Sequence, residues 1–129
     1  MSTGQLRPLQ YAVASWAFMG LVGIPLLVFF DPLNGWRWPP YNPIYDQMIV
    51  SIYVALGFSA FRAIRNPLSH RSLLWFIIYS SVTHGLVMFY HALAHPINAG
   101  HLLGDVWILA GAVSLAIPLY RARSASSNI

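Results

Sequence analysis

The chain has 129 residues, of which 57% are hydrophobic, 15% aromatic and only 8% charged, where an ordinary soluble domain carries about a quarter. Its formal net charge of +4 comes from seven basic residues, all Arg, against three acids, all Asp. The Arg residues flank apolar stretches instead of forming a patch, which argues against a nucleic-acid partner, and the absence of Cys excludes disulfides and thiolate metal sites.

The length leaves room for one domain. Residues 1–8 make a short polar start with Arg7 and Pro8. Leu9 to Phe30 then runs without a charge, long enough to cross a hydrocarbon core of about 30 Å. A secretory signal peptide would need a shorter apolar core and a small-residue cleavage site, and Phe29-Phe30-Asp31-Pro32 offers neither. Pro25 predicts a kink or an early stop near the far end of this span. Asp31 to Asn42 reads as a loop rich in Pro, Trp and Tyr. Trp36, Trp38, Tyr41 and Tyr45 are the aromatics expected at a membrane–water boundary, with a ligand-stacking surface as the alternative.

A second span is expected over residues 44–63, with Asp46 in its first turn as a helix cap. A basic turn follows, Arg62 to Arg71, with Asn66-Pro67 as the breaker. The third span covers residues 72–93. A short link with Pro96 leads to the fourth span, residues 101–120, and a basic tail with Arg121 and Arg123 that is expected to fray. The fold class is thus all-α, a bundle of four transmembrane helices. Arg7, Arg62, Arg65, Arg71, Arg121 and Arg123 fall on one side of such a bundle, and Arg37 with all three Asp on the other. The positive-inside rule makes both termini cytoplasmic. Close packing is expected at small residues in near-helical repeats, among them Gly20 with Gly23, Ala55 with Ser59, Ser81 with Gly85, Gly104 with Gly111, and Ala112 with Ala116.

Chemistry concentrates in the third span. At about 100° per residue, His84, Met88, His91 and His95 share one face, and Ser80 and Ser81 extend it one turn earlier. The fourth span begins with His101 and Asp105. Two i,i+4 pairs, His91 with His95 and His101 with Asp105, would face each other across the hairpin at the outer end. Such pairs can grip one metal from adjacent turns, and three imidazoles with one carboxylate suit zinc, copper or iron. The plain alternative is a set of polar helix ends satisfied by water. His84 lies close to mid-membrane, where an ionisable side chain is functional by default. It would serve with Met88 in cofactor binding, by single ligation of haem or a chlorophyll-like ring, or else as interhelical glue. A bis-His haem has no second imidazole on the first two spans. No nucleophile elbow or phosphate-binding Gly loop is present, and no inverted repeat suggests a transporter within one copy.

Three pieces look familiar: Gln47 to Gly57 with Tyr53-Val54-Ala55-Leu56-Gly57, the turn Arg65-Asn66-Pro67-Leu68-Ser69-His70-Arg71-Ser72, and Ser80-Ser81-Val82-Thr83-His84-Gly85-Leu86-Val87-Met88. In this order they resemble a family of small bacterial four-helix membrane proteins of unknown function. The resemblance covers about a third of the chain. It implies a four-span fold in a bacterial inner membrane, marks Tyr53, Asn66, Pro67, His70, Arg71, His84 and Met88 as family-like positions, and supplies no activity. The pattern does not include His91, His95 or His101.

Three functions follow as expectations. The first is a non-catalytic accessory protein that packs in the lipid bilayer into a homo-oligomer or with the subunits of a membrane complex. The others are a metal- or cofactor-binding protein using the outer His/Asp hairpin, and a small oligomeric transporter.

Overall fold

The computed structural model describes residues 3–30, 42–95 and 101–126, and of these it leaves aside the side chains of residues 3–5, 101, 103–107 and 123–126. The Trp-rich loop with Trp36, Trp38 and Tyr41, and the link after His95, lie outside the described residues. The described chain is helical throughout, in four rods. The first comprises α1 (Thr3–Phe18), a wide π turn (Met19–Gly23) and α2 (Ile24–Phe30). The others are α3 (Pro43–Ala63), α4 (Arg71–Ala94) and α5 (His101–Ser126). A single 3-10 turn, Pro67–His70, joins α3 to α4.

Local chemistry accounts for most of these boundaries. The first rod does not stop at Pro25. Pro25 has no N–H to donate, and its ring would press on the carbonyl of Leu21 one turn back. The π turn just before it carries an i,i+5 bond, from the Ile24 N–H to the Met19 carbonyl, and this wider ring of backbone lets the helix continue past the proline. At the start of α3, Asn42 is the cap. Its side chain accepts from the N–H groups of Ile44 at 3.1 Å and Tyr45 at 3.2 Å, with Pro43 at the first helical position. Asp46, expected as the cap, sits four positions past Asn42 and instead closes the first turn by donating its own N–H to the Asn42 carbonyl. Replacing Asn42 with Ala should cost about 1 kcal/mol, read as a lower unfolding midpoint in detergent.

Asn66 and Pro67 end α3 as the sequence indicates, and the buried Pro67 starts the turn. Gln10 ties this turn to α1 by donating to the Arg65 carbonyl at 3.5 Å. Helix α4 ends because Pro96 forces its predecessor out of the helical region: His95 is extended, with φ −131° and ψ 103°. The tail expected to fray is helical as far as Ser126.

The first rod lies between α3 and α5, while α4 lies chiefly along α5 and touches α3 little. All four rods meet in one cluster near the Arg-rich end, built by Leu9, Val13, Ala60, Leu74, Ile77 and Leu115 among others. Toward the other end the described contacts are pairwise. Ile24 and Val28 meet Val50 and Tyr53 between the first rod and α3, and Gly85 of α4 receives the side chain of Leu109 from α5.

The first rod and α3 approach closely at Gly20 and Gly57. A Cβ on Gly20 would stand 2.6 Å from the Tyr53 carbonyl oxygen and 2.7 Å from the Gly57 Cα. Gly23, the expected partner in the small-residue repeat, faces only the Met19 side chain of its own helix. The repeat misled because the π turn changes which residues share a face. Ala55 is exposed, so its repeat with Ser59 does not mark a contact either.

Three stretches, Leu6–Phe30, Pro43–Ala63 and Pro67–Ala94, are long and apolar enough to cross a membrane. In α5 the apolar stretch Ile108–Ala122 is shorter. Only 28%, 17% and 28% of the most apolar windows of the three long stretches is buried within the chain. Phe18, Phe30, Ile52, Phe76, Leu86 and Leu93 are among the large apolar side chains turned outward. A water-soluble monomer rarely exposes contiguous apolar patches beyond a few hundred Å².

Candidate functional site

The stripe on α4 stands at the margin of its packed face. Leu74, Ile78, Ser81, Gly85 and Ala92 are buried, and the direction they share lies roughly 70° round the helix from the line through His84, Met88 and His91. Those three are half-buried. Serines and threonine nearby bond their own helix: Ser81 donates to the Ile77 carbonyl at 2.6 Å, Ser80 to the same carbonyl at 3.1 Å, and Thr83 to that of Tyr79 at 2.9 Å. These are the back-bonds by which Ser and Thr satisfy themselves inside a helix.

The serines on the other three rods behave alike. Ser15 donates to the Tyr11 carbonyl, Ser51 to Met48, Ser59 to Ala55 and Ser114 to Gly111. No hydrogen bond to His84 is found among the described residues. Its ring therefore lies at the edge of the bundle's packed face, without a hydrogen-bond partner among the described residues, and Met88 follows one turn on.

At the C-terminal end of α4 the rings of His91 and His95 stack, 6.1 Å between centroids and 17° between planes, and Tyr90 meets His91 edge-on at 5.3 Å. The two imidazoles stay together even though His95 has left the helix, because its extended backbone turns the side chain back over the last turn. His101 and Asp105 are carried on the first two turns of α5, but their side chains lie outside the described residues. Among the described residues no three His, Asp or Glu side chains gather as a metal site would require. Ser81 is buried with its hydroxyl donating to a carbonyl.

Sequence reasoning missed a second feature, a cavity of about 110 Å³ lined by all four rods. Trp16 and Gly20 of the first rod, Leu56 and Ala60 of α3, Ile77 of α4 and Ile108 of α5 contribute to its wall. Trp16 spans one side, its indole N–H donating to the Gly111 carbonyl at 3.2 Å, with Gly111 lying 3.0 Å from the ring when given a Cβ. No local pattern announces this space, since its walls come from segments nearly 100 residues apart. His84 does not line it. By helix geometry His84 stands on nearly the same line of α4 as Ile77, two turns farther along.

Residues 4–127 match a family described only as a family of unknown function, DUF6632. The chain belongs to that family. The match takes in all four rods, the basic turn and the stripe, well beyond the third of the chain that carried the resemblance. No curated protein and no solved structure matches the chain. For this DUF6632 member the site must therefore be read from its own chemistry. The cavity is too small for a macrocycle, which leaves His84 and Met88 only the outer flank of α4 as a place to hold one.

Proposed function

We propose that this DUF6632 member is a non-catalytic protein of the bacterial inner membrane, with four spans and both termini cytoplasmic. It acts as an accessory subunit, packing into a homo-oligomer or against other membrane subunits. The observation that carries this reading is how little of its three long apolar stretches the chain buries by itself, 28% at most. Lipid covers such a surface, and so do neighbouring helices. The hydroxyls of Ser80, Ser81 and Thr83 near His84 donate to their own helix and not to its ring, which supports a packing role further.

Detergent-purified protein should run as a defined oligomer or bring partner subunits with it from native membranes. A monodisperse monomer without companions would sink the reading. Orientation has a clean test because the chain lacks Cys. Ser69→Cys places a single exposed thiol in the basic turn, and it should label with an impermeant maleimide in inverted vesicles and stay unlabelled in right-side-out ones.

The metal reading keeps one observation in its favour, the stacked pair His91 and His95 one turn from the end of α4. Zinc, copper or iron held there with His101 and Asp105 would appear as stoichiometric metal after metal-replete growth and vanish in His91→Ala plus His101→Ala. The accessory reading expects no metal in either protein. A small oligomeric transporter would instead show flux in liposomes that depends on His84.

A further inference from the structure

The cavity offers a ligand site that none of these readings uses. Its inner wall is mostly apolar or glycine: Ala60 and Ile77 are completely buried, and Gly20 and Ile24 nearly so. Four polar side chains line it, the half-buried Tyr53 among them, and the other three each donate to a backbone carbonyl. The Ser15 hydroxyl bonds Tyr11 at 3.0 Å, that of Ser114 bonds Gly111 at 2.7 Å, and the Trp16 indole N–H bonds Gly111 at 3.2 Å. None of these three donors is left to orient a carbonyl, a phosphate or a quinone ring. A ligand for this space gains contact and no hydrogen bond from them.

Size and access narrow the choice. About 110 Å³ is of the same order as engineered apolar cavities of about 150 Å³, which stay dry and bind benzene. Ser15, Met19 and Ser114 line the cavity and are exposed, so it opens on the flank of the bundle and not at a helix end. In a membrane that flank is bathed in hydrocarbon. An apolar void beside lipid forfeits the dispersion contacts its walls would otherwise make, whereas a lipid chain sliding in restores them at no desolvation cost.

We propose that this cavity binds the acyl chain of a membrane phospholipid, entering sideways past Ser15, Met19 and Ser114 and lying against the face of Trp16. The proposal rests on the membrane reading above. The fluorescence of Trp16 reports occupancy directly, once Trp36, Trp38, Trp75 and Trp107 are replaced by Phe. Reconstituted with phospholipids brominated on their chains, Trp16 should be quenched. Ser15→Phe and Ser114→Phe fill the rim from two different helices. Both serines are exposed and bond only their own turn, so neither change removes a contact between helices. Each variant should lose most of the quenching.

A Trp introduced at Leu86, which faces outward on α4, serves as the reference for bulk lipid in a parallel background lacking Trp16. Its quenching should be the same with and without the rim substitutions. Quenching of Trp16 that survives both rim variants would mean the ring is reached by bulk lipid, and the site is lost. An unquenched Trp16 beside a quenched Trp at position 86 would equally overturn it, because the cavity would then be closed to lipid. Quenching at neither position removes the membrane reading itself. Lipid retained through delipidation, counted by native mass spectrometry in the wild-type protein and falling by one molecule per chain in the rim variants, checks the same site without removing any Trp.

Discussion

Gly57→Leu should abolish the folded bundle, and Gly57→Ala should already cost upward of about 3 kcal/mol, the high end of what overpacking does. The reason is the identity of the neighbours. A Cβ on Gly57 would meet the backbone nitrogen of Leu21 at 2.8 Å and the carbonyl carbon of Gly20 at 2.9 Å. A side chain in the way can change rotamer, but backbone on a neighbouring rod gives only if the rods part. Alanine is the better helix former by about 1 kcal/mol, so propensity alone would make the change favourable; the clash is the larger effect and sets the sign. Gly23→Ala is the control. Its new Cβ meets only the Met19 thioether end at 2.7 to 2.9 Å, which can swing aside, and the change should stay within about 0.5 kcal/mol. Unfolding midpoints in mixed micelles of the two alanine variants compare these directly. Equal midpoints would mean the first rod and α3 do not meet at Gly20.

Trp16→Ala carries the second large effect, about 3 kcal/mol, at the lower end for Trp truncation because the ring is only half-buried. Trp16 joins the first rod to α5 and forms one wall of the cavity, so its loss both enlarges the space and leaves the Gly111 carbonyl with Ser114 as its side-chain donor. Trp16→Phe separates the two contributions. It keeps most of the ring and deletes the 3.2 Å bond, which inside a membrane is worth about 0.6 kcal/mol on average. A Phe variant as damaged as the Ala variant would place the stabilisation in the hydrogen bond and not in the packing. These values are also read as unfolding midpoints, in lipid–detergent mixtures of fixed composition.

What the sequence disclosed and what it withheld divide along a physical line. Uncharged runs bounded by Pro, Asn and Arg are properties of neighbouring residues, so the rods and the breaker at Asn66-Pro67 could be read directly. The cap at Asn42 was also legible: an Asn followed by Pro at the first helical position is the usual start signal, whereas the charge of Asp46 suits any position in the first turn. The Gly20–Gly57 contact could not be read, because every glycine in an apolar helix looks alike until the neighbouring rod is in place. The same holds for the cavity, whose walls are set by how the rods diverge beyond their common cluster. In the stripe, periodicity put His84, Met88 and His91 on one side of α4. It could not tell that this side borders the packed face instead of being it, since the choice depends on whether Leu109 meets Gly85 or His84.

The π turn at Met19–Gly23 has a bearing on rotational phase. Apolar residues of the first rod recur mainly in steps of four, through Leu9, Val13 and Ala17 and again through Gly20, Ile24 and Val28. Each such step overshoots a full turn by about 40°, so over the whole rod the apolar line would wind away from its neighbours. One wide turn, holding an additional residue, takes back roughly 90° of that drift at its midpoint. It works like a leap day in a calendar, returning a slowly slipping count to its starting season, so that Ile24 and Val28 meet α3 on the side from which Leu9 and Val13 face the core.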